Sequence, residues 1–407
     1  MADVIDEDAF EREALAFLDA NAKLRTEERT GWGEGSDRVA LFSEKTRQQE
    51  AVEVRDAKAW RTTVFDAGFG WITGPVEYGG RGLPTSYERA WQRIQARYDV
   101  PSMARFGIGL GMVAPTILAH ATDAVKDRYL RALYRGEIIA CQLFSEPGAG
   151  SDLAGLQTAA ERDGDEWVVN GQKVWTSGAQ YSDIGELLCR TDPTLPKHQG
   201  LTGFIVDMGA PGVDVRPLRQ MTGGASFNEV FFTDVRIPDD RRLGAVNEGW
   251  GVALTTLMNE RAAIGGGGVG VSIGIDRLIE LLRHLGKADD PLLRQQLADV
   301  WINTNVARYT GLRAMERLRA GQLPGPEMSI SKLALANNLR RVATLVSAAL
   351  GPKLVADSGE WGTYAWGELI LGIPGFRIAG GTDEVMKNII GERVLGLPKD
   401  PPVESRR

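Results

Sequence analysis

Phe144-Ser-Glu-Pro-Gly-Ala-Gly-Ser-Asp152 and the later Asn170-Gly-Gln-Lys-Val-Trp-Thr-Ser-Gly178, both inside the span Cys141–Gly178, decide how this chain reads. Pro147, Gly148 and Gly150 exclude a helix interior, because proline removes a backbone donor and glycine loses the most entropy on ordering. The first segment instead makes an elbow that brings backbone N–H groups and the hydroxyls of Ser145 and Ser151 close to a flat polar ligand. The second ends a β-rich run, Glu166-Trp-Val-Val-Asn170, and sets Trp175 beside Thr176 and Ser177, an aromatic wall with short hydroxyl donors. Either segment alone reads equally well as a hairpin turn with a buried tryptophan. The two together, in this order and spacing, are far more specific.

Outward from that stretch, 407 residues suggest two or three domains around a large core. Apolar residues at 43% and charged residues at 25% are ordinary for a globular protein. A net charge of −7 gives nothing to attract nucleic acid or an anionic membrane surface. Cys141 and Cys189 are too few and too far apart for a metal site, and read as reduced thiols of a cytoplasmic protein. The acidic start of the chain lacks the basic and apolar regions of a signal peptide. No apolar run reaches the roughly 18 residues of a membrane span, so no membrane insertion is expected. His120, His198 and His284 show no ligand spacing, so no metal is expected.

Helical periodicity covers most of residues 6–138: Ala9 to Leu24, Glu44 to Ala67, Tyr87 to Asp99, and Thr122 to Arg135 with Thr122 as cap. Gly31 to Ser36 and Gly68 to Pro84 read as connectors. Near Ile138 the pattern turns to short β-branched runs: Ile138–Phe144, Trp167–Val169, Leu187–Cys189, Phe204–Val206, Val213–Leu218 and Glu229–Phe232. From Gly249 the helical period returns, clearest at Glu280–Leu285, Leu292–Ala320, Ser329–Leu350 and Glu384–Leu395. The expectation is an α+β multidomain chain: an N-terminal helical domain (1–138), a middle antiparallel β domain (139–240), a C-terminal antiparallel helix bundle (241–398) and a short tail (399–407).

The chain resembles the acyl-CoA dehydrogenase family, flavoenzymes that desaturate acyl-CoA thioesters between Cα and Cβ. Beyond the two segments above, Met221-Thr-Gly-Gly-Ala-Ser-Phe-Asn-Glu-Val-Phe-Phe-Thr-Asp-Val-Arg-Ile-Pro238 looks like the family's last strands of the β domain. Gly380-Gly-Thr-Asp-Glu384, with Asn388-Ile-Ile-Gly-Glu-Arg393, looks like its C-terminal signature. The resemblance implies FAD, an acyl-CoA substrate, an electron-transfer flavoprotein as acceptor and a homo- or heterotetramer. It implies a base for the α-proton, donors for the enolate oxygen, and a flavin N5 that takes the β-hydride. Matched residue by residue, Phe144, Ser145, Gly150, Trp175, Ser177, Thr382 and Glu384 would contact the cofactor. Ser151, Met258, Arg261, Gly380 and Gly381 would contact acyl-CoA, with the Gly380 N–H as an enolate donor.

Many members carry the catalytic Glu immediately before the C-terminal Gly-Thr; here that position is Gly380. A subset that includes isovaleryl-CoA dehydrogenase carries it before an Arg on the first helix of the bundle, and this chain has Met258-Asn-Glu-Arg261 there. Glu260 is therefore the expected base. The bland alternative is a solvated charged pair. Against it stand the apolar surroundings (Trp250, Val252, Ala253, Leu254, Leu257) and the run Gly265–Gly268, which costs a helix about 1 kcal/mol per residue. Two segments depart from the pattern. Where the family offers Arg-x-x-Phe-Gly and then Gln across a subunit interface, this chain has Arg283-His-Leu-Gly-Lys-Ala-Asp-Asp-Pro-Leu-Leu-Arg-Gln-Gln296, without the Phe, interrupted by Pro291, and with Arg283 or Arg294 as the match. Where it has Gln-x-x-Gly-Gly, this chain reads Ala348-Ala-Leu-Gly-Pro352. Rival readings are an acyl-CoA oxidase that uses oxygen directly and a non-catalytic or half-site partner subunit of a heteromeric dehydrogenase.

Overall fold

The computed structural model of the chain describes residues 5–26, 31–41, 45–265, 273–319, 326 and 328–399, with only the backbone at 261–265, 314–315, 317–319 and 328. Gly266–Gly268 and residues 400–407 lie outside them. The chain's internal packing groups it into two units. The first comprises residues up to 28, 44–220 and 224–256; the second comprises 29–43, 221–223 and 257 onward.

In the first unit, α1 (Glu7–Asn21) buries Phe10, Ala14 and Leu18, one face at a spacing of four. The helix stops at Asn21, short of the expected Leu24, because β1 (Lys23–Leu24) pairs antiparallel with Tyr98–Asp99. Next comes α2 (Arg47–Asp66), opened by a capping box: the Thr46 hydroxyl accepts from the Gln49 amide at 3.2 Å and the Gln49 side chain accepts from the Thr46 amide at 2.9 Å. Helix α3 (Thr85–Gln95) is amphipathic and leads into β2 (Tyr98–Asp99). A π turn at Gly109–Val113 leads into α4 (Ala114–His120), and then α5 (Asp123–Arg135) follows. Thr122 occupies the N-cap of α5, but its side chain makes no capping bond.

The strands are β3 (Ala140–Leu143), β4 (Ala159–Asp163), β5 (Glu166–Ser177), β6 (Ile184–Arg190), β7 (Leu201–Asp207), β8 (Val213–Leu218), β9 (Phe227–Pro238) and β10 (Arg242–Leu243). Their path is β10-β7-β6-β4-β5-β9-β8, with β3 beside β6. Pairing is antiparallel except that β3 runs parallel to β6 and a single parallel bridge joins β4 to β6. The strand alternation gives the sheet two apolar faces. Ile184 and Ile205 pack with Ile117, Leu243 and Val252, whereas Leu187, Phe204 and Val206 pack with Trp167, Val230 and Phe232.

Helix α6 (Gly249–Gly265) starts in the first unit, where Gly249 lies so close to β7 that a Cβ would sit 2.7 Å from the Thr202 backbone. The second unit holds α7 (Ile275–His284), α8 (Pro291–Arg319), α9 (Met328–Leu350), α10 (Trp366–Ile378) and α11 (Asp383–Ile389). Their core contains Leu278, Leu281, Val300, Leu339, Val342, Leu345, Trp366 and Leu369. Segment 31–41 packs with these helices: Arg38 grips Glu368 with two bonds of 3.0 and 2.8 Å, and Asp37 accepts from the Gly362 amide at 3.0 Å. Pro291 is the first residue of α8, where a missing N–H costs nothing. Asp290 caps that end by accepting from the amides of Leu292 and Leu293.

Candidate active site

The elbow after β3 is a tight turn in which Glu146 and Ala149 exchange backbone bonds of 3.0 and 3.1 Å. Pro147, Gly148 and Gly150 are exposed, Phe144 is buried and Ser145 is half-buried. The elbow is fastened to β5 by a buried ion pair. Lys173, with none of its side chain exposed, donates to the Glu146 carboxylate at 2.8 Å and to the Phe144 carbonyl at 3.0 Å. The other Glu146 bonds come from the amides of Gln157 (2.7 Å) and Thr158 (2.9 Å), and the Val174 amide donates to the Ser145 carbonyl at 2.8 Å. Burial pushes the Glu146 carboxyl up, but the Lys173 charge and these donors outweigh it and hold it below the usual carboxylate range. Burial pulls Lys173 down, opposed by Glu146. Neither residue was singled out from the sequence.

Past Lys173 the β5–β9 register shifts, and within that irregularity Trp175 adopts φ 61°, the left-handed region that an aromatic residue rarely occupies. The alternative of a buried tryptophan is wrong: Trp175 is 58% exposed, with its ring edge-on to Phe227 at 5.9 Å. Backbone strain kept at an exposed aromatic is a mark of function. Behind it, buried Asn228 donates to the Thr176 carbonyl at 3.0 Å and to Gln180 at 2.6 Å. The Thr176 hydroxyl and the Asn228 side-chain carbonyl are buried without a partner. Ser177 is half-buried. The structure thus brings Phe144, Ser145, Trp175 and Ser177 together through Lys173 and Val174, while Gly150 and Ser151 lie exposed further along the elbow.

The remaining expected residues belong to the second unit. Gly380 and Gly381 form the turn between α10 and α11 at φ 67° and 94°, so both need glycine's freedom. Thr382 is the N-cap of α11, its hydroxyl accepting from the Val385 amide at 3.2 Å; this uses one lone pair and leaves the O–H proton to donate. Buried Asp383 anchors the turn through Arg377 at 2.7 Å and Lys332 at 3.7 Å. Glu384 is exposed in the first turn. Glu260 is half-buried on α6, two residues after Met258, which is 45% exposed. The Arg261 side chain lies outside the described residues. Arg283 and Arg294 both line an open groove of about 650 Å³ with Gln295, Ile279 and Trp301. The geometry therefore puts the two candidate arginines on one surface.

FAD is the group that the family implies. The residues fit its ring: an exposed aromatic held at positive φ, two half-buried serines, glycines with nothing within 4 Å of a built Cβ (Gly148, Gly150), and orphaned polar atoms beneath. Among the described residues no group of three metal-ligating side chains gathers, and no helix is long and apolar enough to cross a membrane.

Comparison with known proteins places this geometry. The profiles of the acyl-CoA dehydrogenase N-terminal, middle and C-terminal domains match residues 36–137, 141–235 and 247–395. Acyl-CoA dehydrogenase IpdE1 of Mycobacterium tuberculosis is 40% identical over 362 residues, covering 87% of this chain and 91% of that protein. Mitochondrial isovaleryl-CoA dehydrogenase of Pongo abelii is 26% identical over 331 residues, 79% and 77% of the two chains. The crystal structure of the ChsE4-ChsE5 complex from Mycobacterium tuberculosis includes a chain that superposes with a TM-score of 0.70 at 26% identity, covering 98% of this chain and 100% of that one. Three domain matches in order and a relative 40% identical across most of both proteins establish that this chain belongs to the acyl-CoA dehydrogenase family, oxidoreductases acting on acyl-CoA.

Proposed function

We propose that the chain is an FAD-dependent acyl-CoA dehydrogenase in which Glu260 removes the α-proton of the thioester. The observation that carries this reading is the pairing of a left-handed glycine at 380, where no carboxylate stands, with a half-buried carboxylate at 260 on a largely apolar helix. A carboxylate general base at that position would take the α-proton. Gly380 keeps a main-chain N–H, which would serve as an enolate donor. When bound, FAD supplies the hydride acceptor. Ser145, Ser177 and Trp175 would hold its ring, and Thr382 and Glu384 would contact it from the Gly-Gly-Thr turn. Ser151, Met258, Arg261 and Gly381 would contact acyl-CoA. We assign electron-transfer flavoprotein as the acceptor and the cytoplasm as the location on the same reading.

A second reading has a specific observation in its favour. Segments 283–296 and 348–352 lack the Phe and Gln that the family resemblance would place at a neighbouring flavin, and one matched structure is a complex of two named components. This chain would then be one member of a heterotetramer. Purification of the chain alone tests both readings. A yellow protein whose flavin bleaches anaerobically on titration with short, long or steroid acyl-CoA supports the first, and a colourless or aggregated one supports the second. Turnover in air without added acceptor would instead indicate an oxidase.

A further inference from the structure

Glu186 is a carboxyl in the wrong place for a charge. It lies on β6 with its side chain on the face of Ile184, paired across the sheet with Ile205 on β7 and Gln142 on β3. It is 1% exposed. The groups that face it are Thr116 from α4 and Thr256 from α6, with apolar Val252 and Ile117 alongside. His120, a titratable group on α4, is engaged with the Thr255 hydroxyl at 2.7 Å instead. Cys141 on β3 belongs to the opposite apolar face.

The oxygens form a chain. Glu186 Oε1 and Thr256 Oγ1 are 2.6 Å apart, Thr256 Oγ1 and Thr116 Oγ1 2.8 Å, and Thr116 Oγ1 and the Met112 carbonyl 2.9 Å. Three such contacts need three protons, and the two hydroxyls supply only two. An ionised Glu186 would take the Thr256 proton and leave one oxygen–oxygen contact without hydrogen. A protonated Glu186 completes the set: its O–H donates to Thr256, Thr256 to Thr116, and Thr116 to the Met112 carbonyl. The longer alternative, Thr256 to its own Val252 carbonyl at 3.3 Å, would break the chain.

We propose that Glu186 is a positioning residue held as a neutral carboxylic acid, and that its proton completes a one-way hydrogen-bond chain fixing the rotation of α6. Thr256 lies one turn before Glu260 on that helix, so the chain sets the direction in which Glu260 leaves it; this part rests on Glu260 being the base. Burial, offset only by the Thr256 bond, agrees with the neutral form by pushing the carboxyl up to about 8. Gly249 against β7 and His120 against Thr255 hold the same stretch of helix at other points.

Infrared difference spectra of wild type against Glu186→Gln at pH 7 read the protonation state directly, without reference to turnover. A carbonyl band of a protonated carboxyl, lost in the variant, is expected; a carboxylate band pair lost instead overturns the assignment. Glu186→Val should lower kcat about tenfold, the scale of a small displacement of a reacting group, with KM little changed. Glu186→Gln, whose amide N–H replaces the acid proton, should restore kcat to within about threefold. Equal activity of the two variants overturns the positioning role. If Glu186→Val does not fold, Thr256→Val against Thr256→Ser makes the same comparison. Loss of the Glu260 reading shows separately, as a Glu260→Gln enzyme that still turns over while the infrared result stands.

Discussion

Replacing Lys173 with methionine removes a fully buried ammonium from between the Glu146 carboxylate and the Phe144 carbonyl. Glu146 would keep its two backbone donors at 2.7 and 2.9 Å, so its charge stays partly compensated. The expected loss is about 2–3 kcal/mol, below the usual cost of breaking a buried pair. Glu146→Leu is the harsher change. It strands the lysine with a single carbonyl and orphans the amides of Gln157 and Thr158, for about 4–5 kcal/mol. In the double variant no buried charge remains, so the total should fall short of the sum by about 2 kcal/mol or more. Urea unfolding followed by tryptophan fluorescence gives the four corners of the cycle, and flavin absorbance per chain reports whether the elbow still accepts FAD. Additivity within about 0.5 kcal/mol, or a Lys173→Met protein as stable as wild type, would refute the claim that this pair fastens the elbow to the strand bearing Trp175.

Because the folded chain keeps the Glu186 proton up to about pH 8 while an unfolded carboxyl loses it near 4.5, that group's stabilisation is complete below pH 4.5 and is lost as pH rises through 8. Its contribution falls by up to about 1.4 kcal/mol per pH unit across that window, and Glu186→Gln should flatten the corresponding slope in a urea midpoint against pH series. Gly381→Ala should cost about 1–2 kcal/mol and lower flavin content, because its φ of 94° strains any residue with a Cβ. Gly148→Ala, with nothing near its built Cβ, should leave the melting temperature nearly unchanged; an equal loss in both would contradict the geometry. Cys141 and Cys189, buried and with thiols pushed up to about 12, should resist a thiol reagent in the folded protein and react once urea unfolds it.

The order helices, strands, helices was legible because periods of 3.6 and 2 survive in amphipathic elements such as α1 and α5 and in β8, whose bounds matched. Elements without a one-sided pattern escaped. Helix α10 is apolar apart from Glu368 near its start and Arg377 near its end and carries Pro374, α4 follows a glycine-rich run, and β4 (Ala-Ala-Glu-Arg-Asp) is polar because it faces solvent. The β-branched run of β5 ends at Val169, whereas the strand itself continues through polar Asn170-Gly-Gln172 to Ser177. Gly171 sits at an irregularity within the strand, with room for a Cβ denied by Thr158 at 2.6 Å. The candidate site divides the same way. Ser145, Trp175 and the Gly-Gly-Thr turn announce themselves by unusual local chemistry. Lys173 and Glu186 are single polar letters whose partners lie far along the chain, so only packing reveals what they do.

The central claim is that Glu260 is the base, and stopped-flow mixing of Glu260→Gln with acyl-CoA under anaerobic conditions tests it most directly. The substitution keeps the side chain's size and removes its basicity, so the variant should bind FAD and acyl-CoA as wild type does. Its flavin should stay oxidised, or bleach at least about a hundredfold more slowly, the range over which a positioned general base contributes. Bleaching at the wild-type rate would contradict the account and send the search for the base to another carboxylate.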